Sequence, residues 1–325
     1  MPKGGNKASE PSKISTKSLY CAPGISEERK NGTPQDISQR KYFIMKLLRY
    51  GPKGQEKPGI LDQEGKIHDL SGIVPDIAGS VLSEESLAQL RTLEPANLPV
   101  ATGEPRLGPC VGAVSKFIGI GLNYADHAAE TGLAIPKEPV VFNKWVTCIS
   151  GPNDDIEIPL GSTKTDWEVE LGVVIGRTAR RVSEAEALDY VAGYCIVNDV
   201  SEREYQIERG PTWDKGKGFD TFGPIGPWLV TRDEVPDPQR LELWLEVDGV
   251  RRQTGNTKTM IFTVAQLVSY LSRIMTLSPG DVVATGTPPG VGMALKPEPV
   301  FLRPGQTLRL GVTGLGEQRQ VTVQT

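Results

Sequence analysis

Trp167-Glu168-Val169-Glu170-Leu171-Gly172-Val173-Val174-Ile175 decides how this chain is read. Its apolar, β-branched character makes it a β-strand, and side chains alternate faces along a strand. Glu168 and Glu170 therefore point the same way, while Val169 and Leu171 point into a core. Two acids on one face of an apolar strand repel each other unless something neutralises them. A second apolar run, Tyr194-Cys195-Ile196-Val197-Asn198, ends at Asp199. Three hard oxygen donors, with no Cys or His at similar spacing, suit Mg2+, Mn2+ or Ca2+ better than Zn2+. The plainer reading is an exposed strand face carrying ordinary surface acids.

Outward from this strand, short β runs recur at 117–121, 139–142, 193–198, 228–231, 241–247, 281–285 and 307–312. Two helices interrupt them. One is Ser183–Ala192, where Ser183 and Glu186 have capping-box spacing; the other is Thr263–Met275. The regular β-α alternation of a Rossmann fold or TIM barrel is missing, so this part is strand-rich. Further upstream, residues 45–70 read as short strands and turns. Ser83–Leu93 reads as a helix, with Ser83 as N-cap and Glu84 and Glu85 in its first turn. A Pro- and Gly-rich stretch from Glu94 to Pro109 sets this region apart, so a small domain is expected at 45–105 and a larger one at 115–325. Residues 1–44 are rich in Lys, Ser, Gly, Pro and Glu and are expected to be a disordered extension. Met45 then reads as the start of the folded part, and what precedes it as an extension, a tag or a misassigned start.

Composition narrows the class. The chain has 325 residues, 38% of them hydrophobic, enough for one large core or two unequal ones. A net charge of −4 with interspersed signs gives no basic stripe for nucleic acid. No apolar stretch reaches the roughly 18–20 residues of a membrane span, so a soluble, cytoplasmic protein is expected. Cys21, Cys110, Cys148 and Cys195 are far apart in sequence and form no C-x-x-C pair, which fits a reducing compartment. Any histidine chemistry must come from His68 or His127.

His127 and Glu130 stand three apart in Gly121-Leu122-Asn123-Tyr124-Ala125-Asp126-His127-Ala128-Ala129-Glu130-Thr131-Gly132, and on a helix they share a face. A carboxylate beside an imidazole orients it and raises its basicity, giving a general base for water. The alternative is a surface ion pair on an amphipathic turn. Arg203 and Gln206 follow Asp199 at about one helical turn, within reach of an anionic ligand, or else on a solvated helix face. Lys217 sits in the Gly-rich stretch 213–224, where a lysine can stabilise an oxyanion. Thr285-Gly286-Thr287-Pro288-Pro289-Gly290-Val291-Gly292 lacks the G-K-[ST] ending of a phosphate loop, yet its amides and hydroxyls can hold a carboxylate.

Taken together these motifs resemble the fumarylacetoacetate hydrolase family. The matching pieces are Gly121-x-Asn123-Tyr124-x-Asp126-His127, Glu168-x-Glu170-Leu171, Asn198-Asp199-x-Ser201-x-Arg203, the run Gly216 to Pro224, and Thr285 to Gly292, in family order. The resemblance implies a mainly β (α+β) fold, a mixed β-sandwich roll, and a homodimer. It implies Mg2+ or Mn2+ on Glu168, Glu170 and Asp199. His127 and Glu130 match the water-activating pair of shorter members; in fumarylacetoacetate hydrolase itself the partner Glu comes from elsewhere. Lys217 matches an oxyanion-stabilising position. Arg203, Gln206, Lys144, Thr285 and Thr287 match substrate-binding positions. Leu122 departs from the family, since many acylpyruvase-type members carry Arg there.

The expected activity is cleavage of a C–C bond in a small-molecule 2,4-diketo acid to pyruvate and a second acid. Ser162–Glu168 and Asn198–Glu204 look most like the branch that cleaves 2,4-diketo-3-deoxy-L-rhamnonate or -fuconate, a resemblance that implies a diketo sugar acid substrate and carbohydrate acid catabolism. Acylpyruvate hydrolysis, oxaloacetate decarboxylation and a ureidoglycolate lyase-type activity are the enzymatic alternatives. A keto-acid- or metal-binding protein with a decayed site is the non-enzymatic one.

Overall fold

The computed structural model describes residues 44–325, so the extension expected at 1–44 lies, but for Ile44, outside the described residues. Three strands come first, β1 (Lys46–Tyr50), β2 (Lys57–Leu61) and β3 (Ile67–Asp69), followed by helix α1 (Glu84–Arg91). Next come β4 (Phe117–Gly121), helix α2 (Ala125–Thr131), β5 (Val140–Lys144), and the short β6 (Ile149–Ser150), β7 (Ile156–Ile158) and β8 (Thr165–Asp166). The buried strands β9 (Val169–Ile175) and β10 (Val191–Asn198) lead through β11 (Ser201–Glu202) and the one-turn helix α3 (Asp214–Lys217) to β12 (Gly223–Thr231). The chain ends with β13 (Glu242–Val247), β14 (Val250–Asn256), helix α4 (Val264–Ile274), β15 (Val282–Ala284), β16 (Thr307–Val312) and β17 (Gly316–Gln324).

The main mixed sheet has the order β3-β2-β1-β12-β10-β9-β15-β4-β5, with β6 beside β12. A second sheet, β14-β13-β16-β17-β7, packs against it. The result is a mainly β sandwich roll, as expected. Every residue of β9 and β10 is buried, because β9 lies between β10 and β15, and β10 between β9 and β12. Val169, Leu171 and Val173 from β9 join Leu243 and Leu245 from β13 and Leu308 and Leu310 from β16 in one core. Two glutamines of β17 stitch the layers together: Gln318 donates to the Ile196 carbonyl and Gln320 accepts from Asn198. Residues 45–105 join the same sheet through β1, which pairs with β12, and Met45, Leu47 and Ile60 sit in the same core.

Helix ends follow their sequence signals in two cases. Ser83 caps α1 by accepting from the Ser86 amide, and Thr263 with Gln266 forms a full capping box on α4. The helix expected at Ser183–Ala192 is a correction. Only a short 3-10 turn, Ala187–Tyr190, forms, and the chain is already in β10 at Val191. Ser183 does bond Glu186, through its hydroxyl to the carboxylate and through its carbonyl to the Glu186 amide, which makes a turn and no capping box. The β-branched run that follows is drawn into the sheet, and tertiary pairing overrides the local signal.

Candidate active site

Strand register brings the acids together. Directly paired residues share a sheet face. Val197 pairs with Glu170 and Cys195 with Gly172. Gly172 pairs with Ala284, Ala284 with Gly119, and Gly119 with Phe142; Lys144 lies opposite Phe117. One face of the sheet thus carries Glu170, Phe142 and Lys144, with Glu168 two residues before Glu170 on the same side. The Asp199 amide donates to the Glu168 carbonyl at 2.8 Å, which extends the ladder and sets Asp199 beside Glu168. Carboxylate oxygens of Glu168, Glu170 and Asp199 all lie within 4.8 Å of one another, and all three residues are buried. An exposed face of surface acids is therefore excluded.

Three cations are built into the cluster. Lys217 Nζ bridges Glu168 Oε2 and Asp199 Oδ2, each at 2.7 Å. Lys144 Nζ donates to Asp199 Oδ1 at 2.6 Å and to the Lys217 and Val200 carbonyls. Arg203 donates to Asp166 from Nε at 2.8 Å and forms an ion pair with Glu168 through Nη2 at 2.7 Å. Burial raises the Glu168 carboxyl, but Lys217 and Arg203 more than reverse this and bring it down to about 2. The Lys217 ammonium is held above its usual value: burial opposes it, and Asp199 and Glu168 outweigh burial. Glu170 is the exception. Among the described residues it accepts only the Gly286 amide, at 2.8 Å, and burial together with Asp199 and Glu168 pushes its carboxyl well above the usual range. An all-oxygen donor set with one buried carboxylate lacking a cation fits a hard divalent metal ion.

The loop after β15 holds three of the protein's own carboxylates. Gly286 N–H bonds Glu170, Gly290 N–H bonds Glu130, and Gly292 N–H bonds Asp166. Gly286 and Gly290 lie at φ +98° and +102°, a region that an L side chain resists. The Thr285 and Thr287 hydroxyls donate to the Leu171 and Val169 carbonyls on β9, which leaves their oxygens as acceptors. Gln253, on β14 of the other sheet, accepts from the Val169 amide and donates to Thr287 Oγ1, at 2.9 and 2.8 Å. Both polar backbone groups of Val169, the residue between the two glutamates, are thus clamped.

His127 and Glu130 lie on α2, as expected, and His127 Nδ1 meets Glu130 Oε2 at 2.9 Å. The partner on Nδ1 leaves Nε2 to take a proton. Asn123 anchors the helix entrance, bonding the Thr285 and Phe262 backbones. Asp199 and Arg203 do not share a helix, because β11 separates them. Arg203 instead reaches back to the acids and holds Gln206 Oε1 at 2.9 Å. His68 is outside the cluster, bonded to Asp62 and the Leu98 carbonyl. Sequence reasoning missed Asp166 and Gln253. Asp166 extends the period-two series Asp166, Glu168, Glu170, a signal that was available. Gln253 is remote in sequence and carries none.

The family profile described as Fumarylacetoacetate (FAA) hydrolase C-terminal matches residues 116–324. A Burkholderia ambifaria (strain MC40-6) protein described as a hydrolase is 74% identical over 278 residues, 86% of this chain and 99% of the relative. The fumarylacetoacetate hydrolase of Exiguobacterium antarcticum superposes with a TM-score of 0.74 at 35% identity, over 86% of this chain and 100% of that one. Maleylpyruvate hydrolase from Sphingobium sp. SYK-6, solved with manganese(II) and pyruvate, gives 0.72 at 28% identity, over 86% and 99%. The chain belongs to the fumarylacetoacetate hydrolase family.

Proposed function

We propose that this protein is a divalent-metal-dependent hydrolase that cleaves the C3–C4 bond of a 2,4-diketo acid, giving pyruvate and a second carboxylic acid. A 2,4-diketo-3-deoxy sugar acid is the substrate we favour. The observation that supports the reading most is the buried triplet with one unpaired carboxylate, joined through the 285–292 loop to a His–Glu pair. The neighbour solved with manganese and pyruvate adds to it. The homodimer implied by the resemblance and the cytoplasmic setting expected from composition belong to the same proposal. Among the described residues no helix is long and apolar enough to cross a membrane.

Glu168, Glu170 and Asp199 would hold Mg2+ or Mn2+, which supplies a Lewis acid for charge developing on substrate oxygens. His127 Nε2 takes a proton from water while Glu130 fixes the ring through Nδ1. The hydroxide adds to C4. Lys217 has one N–H beyond those given to Glu168 and Asp199, and Gln206 has its amide N–H2 beyond the oxygen held by Arg203. These donors stabilise the C4 oxyanion. The C3–C4 bond then breaks, its electron pair leaving with the pyruvate fragment, and C3 takes a proton from the His127 imidazolium. Lys144, whose Nζ already meets three acceptors, holds Asp199 and the Lys217 backbone in place.

Pyruvate release from acetylpyruvate and from diketo sugar acids, with Mg2+ or Mn2+ added, tests the proposal. Metal-dependent release supports it. Binding without turnover of any diketo acid would favour a keto-acid-binding protein. Oxaloacetate decarboxylation needs no attacking water, so turnover of oxaloacetate alone would favour that activity.

A further inference from the structure

The strip of sheet next to Glu170 is cleared by glycine and covered by aromatic rings. Two residues beyond the Ala284–Gly119 pair come Gly286, bonded to Glu170, and Gly121. A Cβ on Gly121 would lie 2.2 Å from Cζ3 of Trp213, and one on Gly119 would lie 2.2 Å from Cζ of Phe142. Each ring is seated where only a glycine leaves room. The rings are 5.5 Å apart between centroids, and Lys217 Nζ is 5.0 Å from the centre of Phe142. An aromatic wall therefore starts at the ammonium that bridges two of the acids and runs across the β4 end that leads into α2. Phe142 is buried and Trp213 half-buried. Lys144, Arg203 and Lys217 all face carboxylates already, and Lys215, beside Trp213, bonds the Arg209 carbonyl.

We propose that Trp213, backed by Phe142 and seated on Gly121, determines specificity for the part of the substrate beyond C4, selecting an uncharged chain with a C–H face over one ending in a carboxylate. Ring faces are electronegative and receive C–H groups, while a carboxylate set against them loses its hydration and meets the negative face of the rings. This rests on the proposed diketo-acid reading.

The test uses the full chain loaded with Mn2+ and three oxamates, whose head carries a carboxylate next to a carbonyl, as a 2-keto acid does. Calorimetry compares oxamate, N-propyloxamate and N-(2-carboxyethyl)oxamate. N-propyloxamate should bind about tenfold more tightly than oxamate, as expected for partial burial of three carbons. The carboxyethyl compound should bind no more tightly than oxamate. Trp213→Ala should erase the propyl gain while leaving oxamate within about twofold. Gly121→Ala, whose Cβ displaces the indole, should do the same. Equal binding of the carboxyethyl and propyl compounds to the wild type would overturn the inference without any variant. So would a propyl gain that persists in both variants. If oxamate itself fails to bind with Mn2+ present, the diketo-acid reading falls and takes this inference with it.

Discussion

Two charge networks in this protein have similar membership and opposite character. Where β1 and β2 meet the rest of the sheet, Glu56, Asp76 and Asp154 face Arg49 and Arg106. In the candidate site, Asp166, Glu168 and Asp199 pair with Lys144, Arg203 and Lys217, and Glu170 lies beside them. Each network has one acid more than it has cations, so net charge does not separate them. Pairing does. Every acid of the first network touches a guanidinium, and burial, which raises the Glu56 carboxyl, is outweighed by Arg106, so it lies below its usual value. In the second, Glu170 touches no cation among the described residues and is pushed far up. A network built for stability leaves no member unpaired, whereas this cluster holds a buried acid that a bound cation would satisfy.

The largest effect expected from breaking this contrast is at Glu170. Glu170→Gln should abolish diketo-acid turnover. Its folded-state pKa is raised, so ionisation opposes folding as pH rises above the unfolded carboxylate range. The metal-free variant should therefore melt no lower than metal-free wild type at pH 7, as thermal unfolding with chelator would show. A lower melting temperature would mean that Glu170 is a structural acid like Glu56. Next, His127→Ala should lower kcat for hydrolysis by roughly 10²–10⁴. Any oxaloacetate decarboxylation should fall less, because no water attacks, and the ratio of the two rates checks the assignment. Smaller still, Gln253→Leu should weaken metal affinity about tenfold, within the range for losing an outer partner, with the fold retained on circular dichroism.

The smallest effect on turnover belongs to the stability network. Glu56→Gln should leave turnover unchanged and cost about 1.5–3 kcal/mol at pH 7, the range for hydrogen bonds to charged groups. The depressed Glu56 pKa gives stability that is present above the unfolded carboxylate value and lost as pH falls through the folded one. The gap in melting temperature between variant and wild type should therefore close below about pH 4. A gap constant with pH would show that the carboxylate charge is not what counts.

Much of the site was legible in the sequence because its spacing is local. Period two placed Glu168 and Glu170 on one side, and i, i+3 placed His127 with Glu130 on α2. What stayed hidden is set by pairing across the fold. The spacing leaves open whether the acids are exposed, and burial follows from β9 lying inside the sheet. Thr285 and Thr287 carry hydroxyls suited to a ligand, and their partners, the Leu171 and Val169 carbonyls, come from β9, more than a hundred residues away in sequence. The clamp by Gln253 comes from the opposite sheet, and the seat of Trp213 on Gly121 spans about ninety residues. The false helix at Ser183–Ala192 shows the same limit, since its capping spacing was real and the neighbouring strands decided the outcome.

The central claim is that the triplet holds a divalent metal ion needed for turnover. Wild-type protein stripped with EDTA, then assayed for pyruvate release from acetylpyruvate before and after Mg2+ or Mn2+ is restored, tests it most directly. Activity should disappear on stripping, return with metal in the wild type, and fail to return in Glu170→Gln. Full turnover after exhaustive chelation would contradict the account.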